Sequence, residues 1–145
     1  DSLDHVMNDC SDIFYELASM LVYNGKIVIH THPYTSIHGT HLYNTLNLAF
    51  AHLFLSEEQI SELGGVEVDT FKHYNPEKYY TELINRACLR TIDKFIVRNE
   101  LPSFIDQDDM LDYLLPKFKN EDINTRQKLR AILSIEHINY CVQKI

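Results

Sequence analysis

Four of the chain's eight histidines lie between residues 30 and 41, in a segment that reads YNGKIVIHTHPYTSIHGTH over 23–41. His30 and His32 are two residues apart, so on a strand both imidazoles point to one face, about 6 to 7 Å from each other. The loop that follows can bring His38 or His41 back onto this pair. Three imidazoles and a water are the ligands of a catalytic zinc site, and four imidazoles would close a structural one. The spacing therefore predicts a zinc site.

A catalytic zinc ion usually needs a carboxylate, as a base or as a partner of a ligand. No Asp or Glu occurs between residues 17 and 56, so the carboxylate has to come from elsewhere. Glu67 and Asp69 could supply it if the alternating segment 66–71 forms a strand that pairs with 26–31. The opposing interpretation is structural, in which His30 donates to a backbone carbonyl and His52 is a satisfied packing residue. The incomplete catalytic set favours this structural interpretation.

The sequence His30-Thr31-His32-Pro33 at the end of an apolar strand resembles the zinc-binding segment of the JAMM-type metalloproteases. That resemblance implies a later Ser and Asp, where this chain has Thr40 and Tyr43. The shorter His-Thr-His is similar to the zinc-binding segment of the class II aldolase and adducin family. This second resemblance implies a Glu before the pair and a third His downstream, for which Glu16 and His73 are the candidates. Each resemblance covers only a few residues, and we assign no family from them.

The composition restricts the classes of partner and compartment. A net charge of -8 argues against nucleic acid and against anionic membranes, because both are bound largely through Lys and Arg. The cysteines, Cys10, Cys88 and Cys141, are odd in number and far apart, which is typical of a reducing compartment. No run of 18 apolar residues indicates a membrane span. We therefore predict an intracellular protein; its first residue, Asp1, is compatible with a fragment of a longer chain.

The apolar periodicity predicts a mainly α fold, in which residues 1–145 form a single domain of five or six helices. Only four Gly and four Pro occur, which is few for a sandwich or barrel. The predicted helices are 2–23, 41–55, 56–63, 76–99, one that begins at Ser103 or Asp106, and a last one from Asn120 or Asn124 to about 142. Residues 26–31 are predicted to be extended, with Gly25 either closing the first helix or turning a hairpin. A small two-stranded ribbon of 26–31 with 66–71 is an optional addition to the bundle.

A basic row marks the predicted central helix, 76–99. It consists of Arg86, Arg90, Lys94 and Arg98, spaced by four, and it is either a solvated face or a docking site for an acidic partner.

Because no complete catalytic set can be assembled, the preferred prediction is a small helical module that binds another protein, without a cofactor. The richness in Ile, Asn, Tyr and Asp is typical of AT-rich genomes such as those of many viruses, so the partner could be a host protein. The alternative is a zinc-dependent hydrolase or lyase centred on His30 and His32.

Overall fold

A three-stranded antiparallel sheet is the centre of the fold in this computed structural model, which describes residues 10–37, 42, 46–64 and 77–145. The strands are β1 (Lys26–Thr31), β2 (Leu89–Arg98) and β3 (Ile135–Lys144), and their order is β1-β3-β2. The helices are α1 (Ser11–Met20), α2 (Ala51–Phe54), α3 (Glu57–Gly64), α4 (Glu77–Arg86), α5 (Asp108–Leu114) and α6 (Arg126–Leu133), with a 3₁₀ helix at Leu115–Glu121. The predicted mainly α bundle is therefore wrong, because the protein combines helices with a sheet.

The predicted central helix is the first source of this error. Helix α4 ends at Arg86, Cys88 takes a left-handed conformation with φ of 55°, and the chain continues as β2. Several β-branched residues in 89–98 lose rotamer freedom in a helix and fit a pleated sheet better. The apolar residues of 89–98 also fit a helical period, which is why the predicted helix extends over 76–99.

The predicted last helix contains the second strand that the sequence reading missed. Helix α6 begins at Thr125, whose hydroxyl accepts from the backbone N of Lys128 at 3.2 Å, and it ends at Leu133. In β3 the buried residues then alternate with partly exposed ones: Ile138, Tyr140 and Val142 are at most 1% exposed. An alternation of period two is that of a strand with one buried face.

The prediction that residues 26–31 are extended is confirmed, because they form β1. The strand pairs with β3, from Lys26 opposite Gln143 to Thr31 opposite Ile138, and so belongs to a three-stranded sheet instead of a two-stranded ribbon. The other predicted ribbon strand, 66–71, lies outside the described residues.

The turn before β1 differs from both predicted alternatives. Helix α1 ends at Met20, and the backbone N of Gly25 donates to the carbonyl of Val22 at 2.8 Å. Asn24, and not Gly25, takes the left-handed conformation, with φ of 62°. A Cβ on Gly25 would lie 2.8 Å from the oxygen of Val22, so the close approach of the backbone requires glycine.

Three apolar clusters hold the described elements together, and the smallest, Leu42, Ala51 and Ile60, packs α2 with α3. In the first, α1 and α4 cover one face of the sheet, and the side chains include Phe14, Tyr80, Ile84, Ile29 and Ile138. In the second, α5, α6 and the 3₁₀ helix pack with the segment around Phe50, and the side chains include Ile105, Leu111, Leu114, Leu129 and Leu133. The helices of the first cluster cover only this face of the sheet. The histidines lie on the other face, among polar side chains.

Candidate metal centre

Strands β1 and β3 bring three histidines together on the partly exposed face of the sheet. His30 pairs with Asn139, so continuing the antiparallel register by two residues places His32 beside His137. The intervening residues, Thr31 and Ile138, are fully buried on the opposite face. The alternation of the two strands therefore puts all three imidazoles on one side.

The three rings are close enough to share one ion. Their centroids are 5.1 Å apart for His30 and His32, 4.5 Å for His30 and His137, and 5.8 Å for His32 and His137. One ring nitrogen of each histidine lies within 4.8 Å of those of the other two. Zinc bonds of about 2.0–2.1 Å at tetrahedral angles require nitrogens about 3.4 Å apart. Metal binding would therefore require the three partly exposed rings to turn towards one another.

Hydrogen bonds fix which nitrogen of each β1 histidine can bind a metal. The Nδ1 of His32 lies 3.0 Å from the backbone oxygen of Glu136, and it must donate because a carbonyl only accepts. The Nδ1 of His30 lies 2.9 Å from Oδ1 of Asn139 and donates in the same way. The lone pair of each neutral ring is then on Nε2, which is the arrangement of metal-binding histidines whose other nitrogen is held by an acceptor.

The third histidine favours its neutral form. Burial, followed by the nearby His30, lowers the pKa of His137 below its usual value, and Glu136 opposes this shift. The Oε2 of Glu136 lies 3.9 Å from Nδ1 of His137. A metal binds only the neutral imidazole, so a lowered pKa reduces the competition from protons at this position.

The structure brings together only part of the predicted ligand set. His30 and His32 lie in the cluster, whereas His38 and His41 are outside the described residues. His137 is absent from the predicted ligand set, because the helix predicted from Asn120 or Asn124 to about 142 includes it. The alternating pattern of the segment IEHINYCV at 135–142 is the signal that could have placed this histidine on a strand.

The carboxylate that the sequence reading sought also comes from β3. Glu136 adjoins two of the histidines, through its backbone oxygen and its side chain. Glu67 and Asp69, the predicted sources, lie outside the described residues.

His52 has a structural role in the turn that contains Tyr34. Its Nε2 donates to the backbone oxygen of Tyr34 at 2.7 Å, and its ring contacts the ring of Tyr34 with centroids 4.9 Å apart. Burial lowers the pKa of His52 to about 4, although the hydrogen bond to Tyr34 opposes this shift. The interpretation of His52 as a satisfied packing residue is confirmed, and the residue holds the turn that follows His32 and Pro33.

The predicted basic row is not a row on a helix. Arg86 ends α4, and the other three residues lie on β2. The register shifts between Thr91 and Asp93, so that Arg90 lies opposite Gln143 and Lys94 lies opposite Tyr140. Arg90 donates to the side chain of Gln143 at 2.8 Å. The Nζ of Lys94 lies over the ring of Tyr140. Because Gln143 and Tyr140 are on different faces, Arg90 and Lys94 are separated by the sheet. Arg98 donates to the backbone oxygen of Ala131 and to Oγ of Ser134.

Comparison with known proteins assigns no family. No family model matches the sequence, and no curated protein matches it. Within the described part of the chain, no helix is both long and apolar enough to cross a membrane. The functional argument therefore depends on the histidine cluster itself.

Proposed function

We propose that this protein binds one divalent transition-metal ion, zinc in the first place, through Nε2 of His30, His32 and His137. The observation that carries this proposal is the approach of three ring nitrogens to within 4.8 Å of one another. Two of the three rings already have Nδ1 held by an oxygen acceptor, which selects the ligating nitrogen before the ion arrives. A preset orientation lowers the entropic cost of assembling the ligands.

The ligand type supports zinc among the available metals. Imidazole suits Zn, Cu, Fe and Ni, whereas Mg and Ca prefer oxygen ligands. Among the described residues, no cysteine belongs to the group of atoms that can reach one ion. Cys141 lies opposite Val28 in the sheet, outside this group. Copper binds such ligands more tightly than zinc, so the metal found in cells also depends on metal availability.

Within residues 10–37, 42, 46–64 and 77–145 the ligands number three, which supports a reactive site over a structural one. Three imidazoles would leave the ion's charge of 2+ uncompensated and a fourth position for a water. An ion held by these three histidines would lower the pKa of a bound water to about 7 and so supply hydroxide as a nucleophile. We therefore place the zinc-dependent hydrolase or lyase, the alternative in the sequence reading, first among the candidate functions.

The protein-interaction module stays a prediction. Val28 and Phe95 lie on the same sheet face as the histidines and are 71% and 64% exposed. Exposed apolar side chains of this size are found at sites where proteins contact other molecules. This face is therefore the place to search for a partner, and binding that survives removal of His137 would separate the two functions.

Zinc binding is tested on untagged protein stripped of metal, by isothermal titration and by elemental analysis after dialysis. We expect about one equivalent of zinc for the natural sequence and a loss of binding in His137→Ala. His52→Gln is the matched control, because it removes an imidazole outside the cluster and keeps a donor for Tyr34. A stoichiometry that is the same with and without His137 would contradict the proposal, as would a natural protein that takes up no zinc.

Zinc should also stabilise the folded state, because the three histidines are close together in the folded chain and not in the unfolded one. At a free zinc concentration of about 100 times the Kd, the free energy of unfolding should rise by about 2.7 kcal/mol.

A further inference from the structure

A bulge in β3 places Glu136 next to the histidine cluster. Val97 of β2 pairs with His137, but the next residue, Arg98, pairs with Ile135. Glu136 is therefore the extra residue, opposite no partner on β2. Bulges turn side chains away from the strict alternation of a strand and occur often beside functional sites. Here the carboxylate lies on the side of the neighbouring His137, with Oε2 3.9 Å from its Nδ1.

The same residue contacts a second histidine through its backbone. The carbonyl oxygen of Glu136 accepts from Nδ1 of His32 at 3.0 Å. One residue thus faces Nδ1 of two of the three histidines, and Asn139 holds Nδ1 of the third, His30. In each ring this leaves Nε2 as the nitrogen that faces away from the acceptor.

We propose that Glu136 is the positioning residue of the metal centre, whose carboxylate accepts the Nδ1 proton of His137 when the ion binds Nε2. This inference rests on the proposed metal binding and goes beyond it, since it assigns a role to a side chain that is not a ligand. The carboxylate is partly exposed, so a side-chain rotation can shorten the 3.9 Å separation to a hydrogen bond of about 2.8 Å. A metal at Nε2 makes the Nδ1 proton a stronger donor, and the carboxylate offsets part of the ion's charge.

The carboxylate is placed to act through a ligand and not as one. Glu136 faces Nδ1 of His137, so an ion held at Nε2 would lie on the opposite side of the ring. Within the described residues, the group of atoms that can reach one ion comprises the three histidines alone. Glu136 therefore acts through His137, as carboxylates do in carboxylate–histidine–zinc triads.

The experiment compares zinc affinities of the natural protein, Glu136→Ala, Glu136→Gln and Glu82→Ala, with a competing chelator at constant pH and ionic strength. Glu82→Ala is the matched control, because it removes one exposed carboxylate from α4, on the other side of the sheet. We expect the Kd of Glu136→Ala to rise by about 10- to 100-fold, and that of Glu82→Ala to change by less than about twofold, since the charge is screened over about 10 Å. Glu136→Gln should regain part of the affinity, because its amide oxygen still accepts.

The outcomes separate this inference from the proposed function. Zinc bound equally well by the natural protein and by Glu136→Ala would overturn the role of Glu136 and leave metal binding intact. Equal losses in Glu136→Ala and Glu82→Ala would also overturn it, because the effect would then be one of net charge. Melting curves of the metal-free variants show whether each is folded, and Glu136→Gln decides the question if Glu136→Ala is not. A natural protein that binds no zinc would fail the proposed function itself.

Discussion

Acidification should destabilise the protein through His52, the histidine that holds the turn after Pro33. Burial lowers the pKa of His52 to about 4 in the folded protein, whereas an unfolded chain has a value of about 6.5. Below pH 6.5 the unfolded state therefore binds more protons than the folded state. The contribution of His52 to stability is complete above pH 6.5 and is lost progressively as the pH falls towards 4.

The magnitude follows from these two values. A difference of about 2.5 pH units corresponds to about 3.4 kcal/mol when the titration is complete, at 1.36 kcal/mol for each unit. Between pH 7.5 and 5.0 the part that is lost comes to about 2 kcal/mol. Protonation adds a charge to a partly buried ring whose Nε2 already donates to Tyr34, so the protein offers little to compensate it.

Urea denaturation of metal-free protein at both pH values measures this loss, with His52→Gln as the comparison. The amide of Gln can donate to the carbonyl of Tyr34, but it does not titrate. Other groups titrate in both proteins and cancel, so the natural protein should lose about 2 kcal/mol more than His52→Gln between pH 7.5 and 5.0. Losses that agree within about 0.5 kcal/mol, a third of one pKa unit, would refute the argument that His52 is held neutral.

Three further substitutions test the turn, the core and the metal centre. Gly25→Ala should cost about 1–3 kcal/mol in urea denaturation, because its Cβ would meet the oxygen of Val22 at 2.8 Å; an unchanged midpoint would show that the turn can open. Ile138→Ala should cost about 2–5 kcal/mol, because this side chain is fully buried at the centre of the sheet, and a loss below 1 kcal/mol would mean that the core refills the space. Asn139→Ala should raise the Kd for zinc about tenfold or more by releasing Nδ1 of His30; unchanged affinity in a chelator titration would remove Asn139 from the site.

Local features of the fold could be predicted from local sequence. The sequence Ser56-Glu57-Glu58-Gln59 has the pattern of a capping box, and it forms one at the start of α3: Gln59 N donates to Ser56 Oγ at 3.2 Å and Ser56 N to the Gln59 side chain at 2.9 Å. The extended segment that became β1 was predicted from its β-branched residues. Such features depend only on residues that are close together in the sequence, so they can be predicted without knowledge of the tertiary structure.

The two missed strands show where the local pattern is ambiguous. A dense apolar segment can fit a helical period as well as a strand period, and the alternation and β-branched residues that favour a strand are a weaker signal than its partner strand. β3 lies at the centre of the sheet and pairs with both other strands. Because β2 and β3 were both predicted as helices, the predicted fold class was wrong. The acidic side chains of α5 depend on a partner in the same way, because Asp108 and Asp112 form ion pairs with Arg126 on α6.

By itself the sequence determined that His30 and His32 share one face of a strand, because alternation along a strand needs no partner. The tertiary structure alone decided whether they form a site, since the third ring, His137, comes from a strand far along the chain; the bond from His32 to Glu136 spans 104 residues. Antiparallel pairing of β1 with β3 sets that distance, and pairing is fixed by the burial of the opposite face. The bulge at Glu136 likewise exists only as a mismatch between two strands, so no reading of β3 alone could have placed its carboxylate beside a histidine.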